Sequence, residues 1–505
     1  MMALAIALPG WGQLWTMYVL NLAIVIRYLC KKQYCSNSSA SAYAAVPIEQ
    51  ELHKNSQPDT RTTAVDQEKV DNDEEAVSAG CESKMLEHHK KTRQTVGENP
   101  TNVQEELPRP LNNTQFCPRY AYLDNLKTFL TAIVVSFHVG CAFGGCGPNS
   151  WYLIVGFENI PIFSRIIEAF ALLNQSYFMP LFFFISAYFT PSSYAKGEVL
   201  FMRSKKRRLL IPALFVFFVI SPGCLLFSHY FTTGTNNLIY AAPTSGPAWF
   251  LFWLLLFNWV YSSIMSRTNT NSQENTIEVE PLPFPSTWKR IAYGTSLCGW
   301  VLGIFFFFMP ASFAGMPITF GSLPADFFMF YVGIMAKKHG WLEKDLTEQL
   351  DIPHFLLLIM VIMEGTVLIV LAPYVKEPEF RLVSIVFIVV DGLFCLDMSL
   401  AVLIIFQQWL NLETKLSRIL ARSAYSVYLI HPVVITGVTA IFLEIYRDDI
   451  TFVPEEDGSR FAPPPGKGGG DKYVMGYMVV LIVSHCIVWA VSYVLTRLPY
   501  LRDIL

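Results

Sequence analysis

The sequence predicts an all-α fold: a polytopic bundle of membrane-spanning helices. Three observations predict it. Of the 505 residues, 53% are hydrophobic and only 15% charged, with a mean hydropathy of +0.38; a soluble chain carries about a quarter charged residues. Several apolar runs exceed the roughly 18 residues needed to cross a bilayer. Basic clusters between those runs fall on alternate connections, as a weaving chain requires. The net charge of −3 offers no electrostatic basis for nucleic-acid binding.

The first apolar run, about 3–29, contains Pro9 and Gly10 and is followed by Arg27, Lys31 and Lys32, with no basic residue before it. A cleaved signal peptide has the opposite charge order. Residues 1–32 therefore read as a retained membrane anchor with its C-terminal end in the cytoplasm. Residues 33–118 are polar and rich in Ser, Asn, Gln, Glu and Thr, without apolar periodicity. They read as a disordered cytoplasmic tether. Asn37-Ser38-Ser39 and Asn112-Asn113-Thr114 match the glycosylation pattern, which a cytoplasmic tether leaves unused.

Residues 119–505 form the multipass domain. About ten core spans follow the anchor: 123–144, 166–189, 208–231, 248–265, 290–312, 322–337, 353–373, 383–410, 416–446 and 473–497. Orientation comes from the cations. The run Arg203, Lys205, Lys206, Arg207 and Arg208 reads as a loop joining the second and third core spans. Lys289-Arg290, Lys337-Lys338, the group Lys415, Arg418 and Arg422, and Arg497 with Arg502 fall on the same side. That side is the cytoplasm, where the tether and the C-terminus also lie. The segment 447–472, with Pro463-Pro464-Pro465 and Gly468-Gly469-Gly470, reads as an external flexible loop. The membrane itself is expected to be the plasma membrane or an endomembrane.

Within the first core span lie Asp124, Lys127 and His138. Ionisable groups are costly in hydrocarbon and are seldom kept there without a purpose. Lys127 and His138 are eleven residues apart, about three helical turns, and so share a face on the order of 16 Å apart along the axis. Asp124 shares it too. The stripe starts at the inner surface and carries His138 toward the middle of the membrane. A neutral imidazole there can take a proton from a hydroxyl; the plain alternative is a histidine satisfied by a neighbouring helix.

The five cations at 203–208 can grip phosphates of a nucleotide-bearing donor, or simply mark the cytoplasmic side and touch lipid head groups. In Tyr425-Ser426-Val427-Tyr428-Leu429-Ile430-His431-Pro432, Pro432 frees a backbone carbonyl one turn earlier, and broken helices are tolerated where they line a cavity. Pro and aromatics are also ordinary in membrane helices. Phe184 to Phe189 holds small residues suited to close helix packing. Glu364, Asp326, Asp391 and Asp397 receive no role, and Asp391 and Asp397 are about 240° apart on a helix. His485 likewise has only a structural reading. The ten cysteines form no CxxC pair and no zinc-spaced array, so neither a metal site nor a disulfide framework is expected. Cys141 and Cys146 read as free thiols, with a local pairing as the alternative.

Together these pieces resemble the type-3 membrane acyltransferase family. Asp124-Asn125-Leu126-Lys127 through His138 resembles its opening Asp-x-Leu-basic pattern, with a basic residue ahead of a histidine. Ser186-Ala187-Tyr188-Phe189 resembles its Ser-Gly-Tyr-Phe stretch, with Ala187 in the glycine place. Lys196-Gly197, Arg208-Leu209-Leu210-Ile211-Pro212, Trp249-Phe250-Leu251, Tyr331-Val332-Gly333, Gly340-Trp341-Leu342-Glu343 and the Tyr425–Pro432 segment follow in family order. The resemblance covers about 120–500. Lys127 stands where the family usually has arginine.

The resemblance implies an enzyme that moves an acyl group, usually acetyl from acyl-coenzyme A, to a hydroxyl of a carbohydrate, lipid or small molecule. His138 would be the catalytic base, with Lys127 and Asp124 its functional partners. Arg203, Lys205, Lys206, Arg207 and Arg208 would stand at the donor entrance, and Ser186, Tyr188, Tyr428 and His431 would contact substrate. No cofactor is bound permanently; acyl-coenzyme A is a co-substrate. The expected partners are that donor, the hydroxyl acceptor and membrane lipid. The rival class is a proton-coupled small-molecule carrier, though no internal repeat of the kind such carriers show is present. A non-catalytic relative that binds lipid is a third reading.

Overall fold

The structure is a computed structural model. It describes residues 120–146, 151–155, 161–234, 243–271, 281–294, 312–313, 316–317, 323–375, 381–446, 451–455, 458–462 and 470–499. The anchor, the tether with its two glycosylation patterns, and residues 295–311 of the expected span 290–312 lie outside the described residues.

The chain opens with α1, Ala121–Ala142, a short strand β1, Ile154–Val155, and α2, Pro161–Tyr188. A short helix α3, Thr190–Tyr194, leads into α4, Glu198–Thr233, and then α5, Trp249–Asn271. Next come α6, Thr287–Tyr293, a two-residue strand pair, α7, Leu323–Lys338, and α8, Leu346–Gln349. The chain closes with α9, His354–Leu371, α10, Arg381–Trp409, α11, Lys415–Ile445, and α12, Gly470–Leu495. Among the described residues eight helices are long and apolar enough to cross a membrane. The expected span 322–337 is helical but has only 16 residues in α7, about 24 Å. The fold is thus the all-α bundle the composition predicts, with fewer described crossings than the ten expected.

Two expected loops are ordered instead. The cationic run 203–208 is helical: it lies within α4, in the stretch Glu198–Lys205 and the wider turn Lys206–Leu210. Arg and Lys are good helix formers, and the chain turns earlier, at Gly197, whose φ of 105° suits glycine. In the segment read as flexible, Thr451–Glu455 and Gly458–Ala462 form an antiparallel hairpin, and the second strand pairs in parallel with β1. Residues 463–469 lie outside the described residues.

α11 runs parallel to α1. The connection ahead of α11 is tied to the start of α1, where Asn125 Nδ2 donates to the carbonyls of Leu410 and Leu412 at 2.7 and 2.9 Å. Farther along both helices Phe143 meets Phe442, ring centroids 5.9 Å apart. A reciprocal cap starts α11: Ser417 N donates to Thr414 Oγ1 and Thr414 N to Ser417 Oγ, each at 3.0 Å. α2 packs on α7 through small residues. A Cβ on Gly333 would lie 2.3 Å from the Phe184 carbonyl oxygen and 2.8 Å from Ala187 Cβ, so the Phe184–Phe189 segment serves close helix packing, as its composition suggests.

Two of the scattered acids, Asp397 and Asp391, have separate partners, while both carboxylate oxygens of Asp326 on α7 are buried without a hydrogen-bond partner among the described residues. Arg290 on α6 lies 3.8 Å from both Asp397 on α10 and Asp351 ahead of α9, while Asp391 meets Ser176 on α2. Cys141 and Cys146 are disulfide-bonded, correcting the reading as free thiols. The turn after α1 folds back, with Gly145 N donating to the Gly140 carbonyl, and brings the two Cα atoms to 4.7 Å, within bridging range.

Candidate functional site

His138 sits one turn from the end of α1, about 25 Å along the helix from its start. It is therefore near one end of the span rather than at the mid-depth expected from the sequence. Its ring stacks on Trp151, centroids 4.5 Å apart and planes at 29°, and on His431, 4.8 Å and 28°. Phe137 approaches edge-on at 5.0 Å.

Hydrogen bonding fixes where the protons are. His431 Nδ1 lies 2.7 Å from the carbonyl oxygen of Tyr428. A carbonyl can only accept, so Nδ1 carries the hydrogen and, in the neutral ring, Nε2 is a bare acceptor. His431 Nε2 in turn lies 3.1 Å from His138 Nδ1, which is also 2.9 Å from the Val134 carbonyl. Both neighbours accept, so His138 carries its hydrogen on Nδ1. Its Nε2 keeps a lone pair and has no hydrogen-bond partner among the described residues.

The source of this arrangement is local. In an unbroken helix residue 432 would donate its N–H to the Tyr428 carbonyl. Pro432 lies inside α11 and has no N–H to donate. The orphaned carbonyl takes the His431 proton instead. The expectation that Pro432 frees a carbonyl is met, and the side chain one residue earlier uses it.

His431 is fully buried, at 0% exposure. Its Nε2 faces His138 Nδ1 rather than open space. Tyr428 lies on the same side of α11, its hydroxyl donating to the Pro247 carbonyl. One turn back, the Tyr425 hydroxyl donates to the Arg208 carbonyl. Tyr425, Tyr428 and His431 thus form a ladder from the cationic part of α4 to His138, with a rise of about 9 Å.

The stripe expected along α1 is not an open groove. Thr131 and Val134, which lie on that face between Lys127 and His138, are 2% and 1% exposed. Small β-branched residues let neighbouring helices close over them. Lys127 pairs with Asp124 at 3.2 Å and sits over the Phe189 ring, 4.7 Å from its centroid. Ser186 and Tyr188 belong to this end too. The Ser186 carbonyl accepts from Thr190, and Tyr188 packs under Lys337 and against Tyr120. Neither reaches the histidine pair. Of the cations on α4, Arg203, Lys206, Arg207 and Arg208 are exposed, and Lys205 lies over Phe201.

Sequence reasoning missed Trp151 altogether. Its segment is held by the pairing of β1 with the hairpin and by Tyr152, whose hydroxyl is 2.8 Å from Ser221 Oγ on α4. Such an arrangement offers an oriented base at the closed end of an aromatic cluster and cations at the other end of the same helices.

The family model described as an acyltransferase domain, of type 3, matches residues 120–498. No curated protein and no solved structure matches the chain.

Proposed function

The chain belongs to the type-3 acyltransferase family and is a multipass membrane acyltransferase, and from that premise we propose that it moves an acyl group, acetyl foremost, from acyl-coenzyme A to a hydroxyl with His138 as the base. The acceptor is a carbohydrate, a lipid or a small molecule. The observation that carries this reading is the lone pair left on His138 Nε2 by the chain His138 Nδ1, His431 Nε2, His431 Nδ1 and Tyr428 O.

His138 Nε2 takes the hydroxyl proton as the oxygen attacks the thioester carbonyl. A C–O bond forms, the C–S bond breaks, and the departing thiolate recovers the proton from His138. While His138 is cationic, its Nδ1–H points at the bare Nε2 of His431, which shares the charge. General-base assistance of this kind supplies about 10²–10⁴-fold.

The donor's phosphates fit the cationic end: Lys127 together with Arg203, Lys205, Lys206, Arg207 and Arg208. The α1 face is closed at Thr131 and Val134, so the donor arm does not run along that stripe. The family match favours this reading over the proton-coupled carrier.

The test is transfer of label from acetyl-coenzyme A by the purified full chain in lipid nanodiscs, with a membrane extract as acceptor. His138→Ala should lose at least about 10²-fold in rate, and Lys127→Ala should raise KM for the donor. Unimpaired transfer by His138→Ala removes the histidine from the mechanism.

A further inference from the structure

Among the described residues, Trp151 packs on the histidine pair and carries a polar atom that has no function in the scheme above. Its ring lies on His138, and the His431 ring is beside that stack, 6.1 Å from Trp151 between centroids at an interplanar angle of 19°. Its Nε1 is closed off from solvent and has no hydrogen-bond partner among the described residues. An indole nitrogen is a donor only, and a buried donor without an acceptor is costly and calls for an explanation.

Packing alone does not supply one. The described residues that follow it have their own partners: Leu153 and Val155 are buried, Ile154 and Val155 pair with Arg460 and Phe461, and the Tyr152 hydroxyl has Ser221. A phenyl ring could stack on His138 as well as an indole does, and it would bury no orphan.

Acyl transfer creates the acceptor that is missing. Attack on a thioester turns its carbonyl oxygen into an oxyanion, and donors fixed at that point stabilise the transition state more than the ground state. We infer that Trp151 Nε1–H donates to the acyl carbonyl oxygen and holds its negative charge in the tetrahedral intermediate. The indole does not exchange its proton in the step. The acceptor's proton goes to His138 Nε2 and leaves with the thiolate, while the Trp151 hydrogen bond strengthens as the oxyanion forms and relaxes as the carbonyl returns. The inference rests on the acyltransferase reading and adds a catalytic residue to it.

The test uses the full chain in nanodiscs, wild type beside Trp151→Phe, and has two readouts. The first is coenzyme A release from acetyl-coenzyme A with a membrane extract as acceptor. Trp151→Phe keeps the stack and loses the N–H, so kcat should fall about 10²–10³-fold with KM for the donor and the pH–rate limb unchanged. The second, independent of the variant's folding, is the hydrogen-bond-sensitive indole N–H vibration of the wild type. It should shift when the ketone analogue acetonyl-coenzyme A, which keeps the carbonyl but has no thioester, is added. Wild-type kcat in Trp151→Phe, a loss confined to KM, a displaced pH–rate limb, or an indole band blind to the bound analogue each overturns the role given to Trp151. A wild-type chain that neither releases coenzyme A nor binds the analogue overturns the transferase reading beneath it.

Discussion

His431 donates from Nδ1 to the carbonyl oxygen of Tyr428 at 2.7 Å, three residues earlier on the same helix. The bond is local, but its effect is not. It settles which nitrogen of His431 is bare and, through the 3.1 Å contact that follows, which nitrogen of His138 is bare. A backbone carbonyl here takes the part that a carboxylate plays in many catalytic pairs, with a second imidazole interposed.

This relay separates the two amide substitutions of His431. In His431→Gln the side-chain oxygen falls near the place of Nε2 and can still accept from His138 Nδ1. In His431→Asn the amide nitrogen falls near the place of Nδ1 and keeps only the bond to Tyr428. We expect His431→Asn and His431→Ala to lose about 10²-fold in kcat and to displace the pH–rate limb, with KM for the donor little changed. His431→Gln should recover much of the rate and the wild-type limb. Equal losses in all three, with no change in the pH profile, would show that His431 serves packing alone.

The readable part of this site was its chemistry rather than its partnerships. The eleven-residue spacing of Lys127 and His138 follows from helical period, and both residues stand out against an apolar span. Closure of the face between them rests on Thr131 and Val134, residue types equally at home facing lipid. The pairing of His138 with His431 joins residues 293 positions apart, beyond the reach of any spacing rule. Trp151 is one of 11 tryptophans, and in a membrane protein each reads first as an interfacial anchor. The cations at 203–208 read as a loop because charge usually marks one, yet their helix propensity is good and the true turn lies at Gly197. Asp397 read as a lone acid because its partner, Arg290, counted only as a marker of topology.

The contact between α2 and α7 makes a prediction about stability. Gly333→Ala would place a methyl group 2.3 Å from the backbone oxygen of Phe184 and 2.8 Å from Ala187 Cβ. Forcing the helices apart should cost about 1–3 kcal/mol, read as a lower Tm in nanodiscs. Ala187→Gly in the same chain removes one of the two clashes and should restore part of the loss. The backbone clash stays, so full rescue is not expected; a Gly333→Ala protein as stable as wild type would contradict the packing described.

The bridge between Cys141 and Cys146 tests both stability and orientation. It closes a short loop, with a sequence separation of 5, so replacing both cysteines by serine should cost only about 2 kcal/mol in the chain-entropy account. By the positive-inside rule the basic clusters predict that this end of α1 lies outside the cytoplasm. An impermeant phosphine followed by an impermeant maleimide should therefore label intact cells carrying the wild-type chain more strongly than cells carrying the double-serine variant. Equal labelling of the two, with a clear difference after permeabilisation, would reverse the orientation.

Pro432 is the residue on which the relay ultimately depends, although it touches no reacting atom. Pro432→Ala gives α11 back an N–H that can reach the Tyr428 carbonyl. It then competes with His431 Nδ1–H for that oxygen and draws the helix straight between residues 428 and 432. Either change loosens the hold on the His431 tautomer and, through it, on His138. A shift of about an ångström at a reacting group costs up to about 10²-fold, and the partial disturbance here should lower kcat by about tenfold. The protein should remain folded, because an alanine is favoured in a helix interior where proline is not. Adding Pro432→Ala to His431→Ala should then produce little further loss, since both act through one imidazole. Fully additive losses would mean that the proline and the histidine work independently.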